Sequence, residues 1–194
     1  MHENKQIFFL GDELITGVGD TRALGWIGRV LARTESATPI IPISLATAGE
    51  SLGKLALRWE REVLPRVSAK SDNRLVVALG THDLDEGTSI VRSRLYLANL
   101  LDTAQRHGLK TLVVGPPPRN DIAPNILQDL SKAYEDVCAR RGTPFVETFT
   151  PLVKHNQWNT DLAISGGYTP HQAGYGLIAW LVLHQGWQEW INKS

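Results

Sequence analysis

Short apolar runs alternate with longer stretches of helical periodicity along the whole chain. The runs at residues 6–10, 39–45, 74–79, 110–114 and 144–146 are predicted to be strands. The stretches 24–33, 51–67, 90–107, 124–141 and 171–192 place apolar residues at helical spacing and are predicted to be helices. The run RLVVAL, residues 74–79, is typical of a strand buried on both faces. Strands joined by helical crossovers of this size predict a parallel sheet with helices on both sides.

The length of the chain limits how these elements can be arranged. Its 194 residues suffice for one domain with a substantial core and are short for two. We expect residues 1–194 to form a single domain with a three-layer α/β/α, flavodoxin-like fold around a five-stranded parallel sheet. The apolar residues expected on buried helix faces include Leu52, Leu55, Leu57, Trp59, Val63 and Trp180, and burial is also expected for Trp187 and Trp190.

Charge and composition exclude several classes of function. Lys and Arg total 20 and Asp and Glu total 20, so a formal charge of zero gives no support for binding nucleic acid or an anionic membrane surface. The single cysteine excludes an internal disulfide, and Cys138 is expected to be a buried apolar residue rather than a nucleophile. No apolar run approaches the length of a membrane span, and we expect a cytoplasmic location.

The loops after the predicted strands carry the candidate site, because ligands bind at the carboxyl ends of the strands in such sheets. These loops are GDE at 11–13, residues 45–49, GTHD at 80–83 and GPPP at 115–118, and the segment 166–171 is a further candidate.

Five sequence blocks in these loops resemble the GDSL hydrolases, also called the SGNH hydrolase superfamily. GDEL at 11–14 stands where the family has Gly-Asp-Ser-Leu, and GTHDL at 80–84 stands where it has Gly-x-Asn-Asp. SLATAG at 44–49, GPPP at 115–118 and TPHQAGY at 169–175 resemble further blocks in the family's order. The resemblance implies the α/β/α fold and an ester- or acyl-type small-molecule ligand, with no cofactor and no metal.

In that family a serine attacks the carbonyl, a histidine takes its proton and an aspartate orients the histidine. The resemblance places Glu13 at the serine position and His82 at the position of the oxyanion-stabilising asparagine. Thr169 falls at the histidine position and Gly166 at the aspartate position, whereas Gly49 keeps the oxyanion glycine. The standard Ser-His-Asp machinery is therefore expected to be absent. A shifted alignment that makes His171 the base would put Tyr168 at the acid position, and this alternative stays open.

Glu13 and His82 are the candidate catalytic residues, since a carboxylate and an imidazole across one pocket form a possible acid–base couple. The candidate pocket residues are Asp12, Gly49, Thr81, Thr169 and His171. Asp12 is expected to be mainly structural, accepting a backbone N–H in its own turn. His82 could alternatively serve as a hydrogen-bond donor in the pocket wall. A metal site formed by Glu13, His82 and His171 has no paired motif behind it, so no metal is predicted.

Three functional hypotheses follow. The favoured one is a degenerate family member, a pseudoenzyme that binds a small molecule, with a homo-oligomer or a protein partner also conceivable. The alternative is an atypical hydrolase or other acid–base enzyme that uses Glu13 and His82 on an acyl or ester substrate. The third is a hydrolase that recruits another nucleophile, such as Thr16 or Ser51.

Overall fold

A computed structural model describes residues 2–193 and contains one five-stranded parallel sheet. The strands are β1 (Asn4–Gly11), β2 (Ile40–Ala46), β3 (Ser71–Ala78), β4 (Lys110–Val114) and β5 (Phe145–Val146). Their order in the sheet is β2-β1-β3-β4-β5, and every neighbouring pair is parallel. This is the order of a flavodoxin-like doubly wound sheet. The predicted fold class is confirmed.

Helices cover both faces of the sheet. One face carries α3 (Leu52–Val63), α5 (Ile90–Arg106) and α6 (Pro124–Ala139). The other carries α2 (Gly25–Leu31), α8 (Asn156–Ile164), α9 (Gln172–Val182) and α10 (Gln188–Asn192), with α7 (Phe149–Val153) beside them. Two short helices follow strands directly: α1 (Glu13–Thr16) and α4 (His82–Asp85). The sequence pattern did not predict α4, α7 or α8. Among residues 2–193, none of the helices combines the length and apolar character needed to cross a bilayer.

Alternation along the strands divides the apolar residues between two cores. In β1, Ile7 and Phe9 join the core under α2 and α9, whereas Phe8 and Leu10 join the core under α3, α5 and α6. Residues 74–79 are all buried, as predicted for a central strand covered on both faces.

Two residues that were expected to be buried are exposed. Leu57 is 76% exposed because the buried residues of α3 recur at positions 52, 55, 59 and 63, and a residue two positions before Trp59 lies on the far side of the helix. Trp180 is 57% exposed and stacks on His184, one turn further along the chain.

The predicted last helix is interrupted. A π-helical turn (Leu183–Trp187) separates α9 from α10, and Gln185 and Gly186 leave helical geometry there. Gly186 has φ 91°, a left-handed conformation that glycine adopts without steric cost. The break redirects the chain so that Trp187 and Trp190 are both buried, as expected.

Candidate functional site

The candidate site lies at the carboxyl end of the sheet, where the strand order reverses. β1 pairs with β2 on one side and with β3 on the other, so successive crossovers leave in opposite directions from this point. Such a switch point leaves a crevice at the strand ends. Glu13 follows β1, Gly49 follows β2 and His82 follows β3, and the structure brings all three together.

Asp12 fixes the turn between β1 and α1. Its Oδ1 accepts a hydrogen bond from the Leu14 N–H at 3.0 Å, which caps α1, and the residue is 3% exposed. This is the backbone role predicted for it. The Gly80 backbone passes so close that a Cβ there would lie 1.8 Å from Asp12 Oδ2. A side chain at position 80 would therefore displace the Asp12 carboxylate from its capping position.

The Glu13 carboxylate uses each oxygen for a different partner. Its Oε2 accepts a hydrogen bond from the Gly49 N–H at 2.8 Å. Its Oε1 lies 2.9 Å from His82 Nε2. The side chains of Glu13 and His82 are 14% and 15% exposed, so this pair lies at the rim of the interior rather than in open solvent.

A series of charged hydrogen bonds continues behind His82. Its Nδ1 lies 2.9 Å from Asp85 Oδ2, one turn along α4. The Arg119 Nη1 donates to the same Asp85 oxygen at 2.7 Å and to Thr81 Oγ1 at 3.0 Å, and Asp121 holds the other side of the guanidinium at 2.6–2.9 Å. The His82 ring is therefore fixed through both nitrogens.

Tyr168 covers this network from the solvent side. The Arg119 guanidinium lies 4.5 Å from the centroid of its ring, and the Arg119 side chain is only 5% exposed. Together these groups surround a narrow pocket of about 10 Å³, roughly the space of one water molecule. It is lined by Asp12, Glu13, Leu14, Gly80, Thr81, His82, Pro117, Arg119 and Tyr168.

The environment shifts the pKa of all three ionisable groups at the centre. Burial, followed by the charge of Glu13, raises the pKa of Asp12 to about 7. Burial alone would raise the pKa of Glu13, but the hydrogen bonds from His82 and the Gly49 N–H outweigh it and lower that pKa to about 2. The hydrogen bond to Glu13 raises the pKa of His82 to about 9, although burial opposes the shift.

At neutral pH the site is therefore an ion pair. Glu13 is a carboxylate of low basicity, and His82 is an imidazolium that can donate but not accept a proton. Asp12, whose Oδ2 lies 3.7 Å from His82 Nε2, is the group of the three that exchanges a proton near pH 7.

Within residues 2–193, the same three residues are the group whose side chains could together hold a metal ion. Asp12, Glu13 and His82 each offer one ligand atom, and these atoms lie within 4.8 Å of one another. Oxygen and nitrogen donors of this kind suit a divalent cation. In this structure His82 Nε2 and Glu13 Oε1 lie 2.9 Å apart and are hydrogen-bonded to each other. The geometry is that of an ion pair.

The segment before α9, which carries Thr169 and His171, does not join the hydrogen-bond network of Glu13 and His82. The His171 N–H donates to Asp161 Oδ2 at 3.1 Å, and within residues 2–193 no hydrogen bond or ion pair joins the His171 ring to Glu13 or His82. Thr169 lies beside Gly19, and its backbone carbonyl accepts a hydrogen bond from Ser165. The structure thus brings Asp12, Thr81 and Gly49 to Glu13 and His82, but not the His171 ring.

Sequence reasoning missed several residues of this region. Asp161 is 3% exposed and also accepts the Gly174 N–H at 2.6 Å, so it anchors the start of α9. Arg119, Asp85 and Tyr168 were not assigned to the site network. The available signals were that Arg119 follows the proline run after β4 and that Asp85 lies one turn after His82.

The proposed substitute nucleophiles have structural partners. Thr16 Oγ1 donates to the Glu13 carbonyl at 3.0 Å. Ser51 is 1% exposed, and its Oγ accepts from the Lys54 N–H as the cap of α3. Neither hydroxyl has a histidine partner within the described residues.

Solved structures share this architecture over nearly the whole chain. The lipase/acylhydrolase from Enterococcus faecalis has 19% identity and a TM-score of 0.77, covering 94% of this chain and 95% of its own. Axe2, an acetylxylan esterase from Geobacillus stearothermophilus, has 15% identity and a TM-score of 0.78 with full coverage of both chains. The psychrotrophic esterase EstA from Pseudoalteromonas sp. has 17% identity and a TM-score of 0.74, covering 98% of this chain and all of its own. At these identities the likeness establishes the fold.

Sequence comparison establishes the family. No curated protein sequence matches the chain. The profile of the GDSL-like Lipase/Acylhydrolase family matches residues 9–177, which include the end of β1, all of β2 to β5 and every residue of the pocket. The chain therefore belongs to the GDSL-like lipase/acylhydrolase family.

Proposed function

We propose that this protein is a degenerate member of its family that binds a small acyl- or ester-type molecule without hydrolysing it by serine chemistry. The observation that carries the proposal is the state of the Glu13 carboxylate, which is bonded to the Gly49 N–H and to His82 at the same time. We also propose that residues 1–194 act as one domain, because both cores pack on the same sheet.

The nucleophile is the first function affected. Glu13 stands where the family resemblance places a serine. A carboxylate can attack a carbonyl carbon, but its nucleophilicity falls with its basicity, and the pKa of Glu13 is lowered to about 2. Both carboxylate oxygens are also engaged by donors, so attack would first require breaking one of these bonds.

The general base is the second function affected. Thr169 and Gly166 stand where the resemblance places histidine and aspartate. The Thr169 hydroxyl does not act as a base near neutral pH, and glycine offers no side chain to orient one. His82 cannot replace them in its ion-paired state, because the raised pKa keeps its ring protonated. Among the described residues, His171 Nε2 is buried without a hydrogen-bond partner and is not bonded to Glu13, so it does not serve as the base in this arrangement.

The oxyanion site is the third function affected. In acyl transfer, donors such as the Gly49 N–H must be free to receive the charge that develops on the carbonyl oxygen. Here that N–H already binds a full negative charge. Removal of one triad member or one oxyanion donor typically costs on the order of 10²–10⁴-fold in rate, and several are altered together.

The ligand class rests on family membership and on the size of the pocket. The similar structures are described as a lipase/acylhydrolase, an acetylxylan esterase and an esterase. The pocket beside Tyr168 has a volume of about 10 Å³, so it has no room for a long acyl chain and would have to widen even for a small acyl group.

A restoration experiment tests the proposal. Wild-type protein, Glu13→Ser and the combined variant Glu13→Ser/His82→Asn/Gly166→Asp/Thr169→His are assayed against aryl acetates and aryl thioesters. We expect no turnover from the wild type, none from the single variant, which still lacks a base, and measurable turnover from the combined variant. Rapid hydrolysis by the wild type would contradict the proposal, and a large gain in Glu13→Ser alone would show that a base such as His171 is already in place.

One observation favours the acid–base enzyme as a second candidate. Asp12 titrates near pH 7 and its Oδ2 lies 3.7 Å from His82 Nε2, so Asp12 could accept a proton while His82 donates one. This hypothesis predicts wild-type turnover of aryl esters or thioesters that disappears in Asp12→Asn, which cannot accept the proton. Equal rates for the two proteins would exclude it.

A further inference from the structure

We propose that the Gly49 N–H and the His82 Nε2–H form a carboxylate-binding pair, that Glu13 fills it in the native protein, and that a small free monocarboxylate binds there when Glu13 is shortened. The inference deepens the proposed function and rests on it for the identity of the site. It identifies the chemistry of the ligand that these two donors accept.

The geometry is that of carboxylate recognition. Two donors from different loops each bind one oxygen, at 2.8 Å from Gly49 and 2.9 Å from His82. Hydrogen bonds to an ionised acceptor are stronger than neutral ones, and two together fix the plane of the carboxylate. A free carboxylate ligand would satisfy the same two donors equally well.

The His82 donor is held in position without help from Glu13. Its Nδ1 is bonded to Asp85, and Asp85 is held by Arg119, whose side chain is 5% exposed. This support lies behind the ring, on the side away from Glu13. Loss of the Glu13 carboxylate would leave Nε2 at the pocket. Because Nδ1 is bonded to Asp85, Nε2 carries a proton only while the ring is an imidazolium, so the acetate titration belongs at or below about pH 6.

The Gly49 donor is also held by contacts of its own loop. The Thr47 N–H donates to the Gly11 carbonyl at 3.0 Å, and Glu50 is 7% exposed and pairs with Arg58 at 2.5 Å. Gly49 itself has φ 69°, a left-handed conformation that favours glycine at this turn. The donor therefore remains aimed at the same place in a Glu13 variant.

The shape of the space follows from the atoms that a substitution removes. Glu13→Ala removes one methylene and the carboxylate, which together are the heavy atoms of acetate. Glu13→Gly removes one carbon more, which gives the heavy atoms of propionate. The preferred ligand should therefore lengthen by one carbon between the two variants.

An NMR titration tests the inference. Sodium acetate and sodium propionate are added to wild type, Glu13→Ala, Glu13→Gly and Glu13→Gln at constant ionic strength, with sodium chloride as the ionic control. The Gly49 amide and the His82 ring are observed. We expect acetate to bind Glu13→Ala about tenfold or more tightly than it binds Glu13→Gln, which keeps the side-chain volume, and we expect wild type to show no saturable shift. Glu13→Gly should prefer propionate.

A donor variant provides the matched control. Glu13→Ala/His82→Gln keeps the space but loses the charged donor, and it should bind acetate about tenfold more weakly than Glu13→Ala. Without acetate, Glu13→Ala should lose the raised pKa of His82. Binding of acetate to the same variant should restore it.

The outcomes separate this inference from the proposed function. Equal acetate affinity in folded Glu13→Ala and Glu13→Gln, or shifts that leave out the Gly49 amide, would overturn the carboxylate site while leaving the absence of hydrolysis intact. If Glu13→Ala does not fold, the Glu13→Gly titration with propionate decides the question in the same way. Ester turnover by wild-type protein would overturn the proposed function, whatever the acetate result.

Discussion

Two charged clusters lie at opposite ends of the parallel sheet and use their charges differently. At the amino end, Arg74 in β3 is 1% exposed, pairs with Asp72 at 2.6 Å and donates to the backbone carbonyls of Trp190 and Lys193. At the carboxyl end, Glu13 and His82 face a pocket and are joined to Arg119 through Asp85.

The amino-end cluster joins parts of the chain that are distant in sequence. Arg74 ties β3 to the segment that follows α10, and its guanidinium lies 5.2 Å from the Trp190 ring. An arginine stays charged at every accessible pH, and the pKa of Asp72 is lowered, with burial opposing the shift and Arg74 producing it. This cluster therefore keeps its charges across the neutral range.

The carboxyl-end cluster contains a group that titrates in that range. The pKa of Asp12 is raised to about 7, whereas the pKa of His82, raised to about 9, keeps that ring protonated at neutral pH, and both residues line the pocket. Buried charge alone thus does not identify a functional site. A pocket-lining group that changes protonation near neutral pH, Asp12, distinguishes the second cluster from the first.

The largest expected effect is at the amino end. Arg74→Met leaves the Asp72 carboxylate and two backbone carbonyls without their donor, and we expect the free energy of unfolding to fall by about 3–5 kcal/mol. Urea denaturation measures the loss. The His82 ring resonances should stay unchanged, and a shift in them would show that the two clusters are coupled.

Asp12→Asn, at the carboxyl end, is expected to raise the free energy of unfolding rather than lower it. Because the folded pKa of Asp12 is raised from 3.8 to about 7, protonation stabilises the fold, and that stabilisation is lost as pH rises through about 7. The substituted amide would keep an oxygen for the Leu14 N–H without the charge. We expect the variant to be more stable than wild type by about 2–3 kcal/mol at pH 8 and to show little difference at pH 4. Thermal unfolding across this range measures it, and an equal gain at both pH values would contradict the assignment.

His82→Gln should abolish the part of the pH dependence of stability that comes from the His82 ring. The folded pKa of His82 is raised from 6.5 to about 9, so its contribution is complete below pH 6.5 and is lost as pH rises through about 9. We expect the variant to be less stable than wild type by on the order of 1–2 kcal/mol at pH 6, with the two curves converging above pH 9. Parallel curves over the whole range would mean that the ring contributes by packing alone.

The smallest effect is expected for Lys110→Met. Lys110 lies 3.3 Å from Asp72 but its side chain is 36% exposed, so solvent screens the pair. We expect a change of about 0.5 kcal/mol or less in unfolding free energy. A loss close to that of Arg74→Met would show that the amino-end cluster depends on the whole network rather than on Arg74.

The fold was predictable because it depends on repeated patterns. Apolar runs such as residues 74–79 can be recognised without knowing their neighbours, and their alternation with helices specifies parallel crossovers. The break in the last helix was not predictable in this way. Gln185 and Gly186 leave helical geometry where the chain must turn to bury Trp187 and Trp190, and that requirement comes from packing.

The centre of the site was predictable for a similar reason. Glu13, Gly49 and His82 each follow a strand, and parallel strands end at the same edge of the sheet. The supporting residues were not, since the positions of Arg119 and Tyr168 depend on loop conformations that no spacing encodes. Whether Glu13 and His82 catalyse a reaction stays a prediction.

The contact between Gly80 and Asp12 has a consequence for directed evolution of this scaffold. Any side chain at position 80 would collide with Asp12 Oδ2, since even a Cβ would lie 1.8 Å away. Libraries that aim to install new activity should therefore leave codon 80 fixed and randomise positions 13, 82 and 169 together. Glycine at position 80 would keep the ends of β1 and β3 close together while the side chains at positions 13, 82 and 169 are varied.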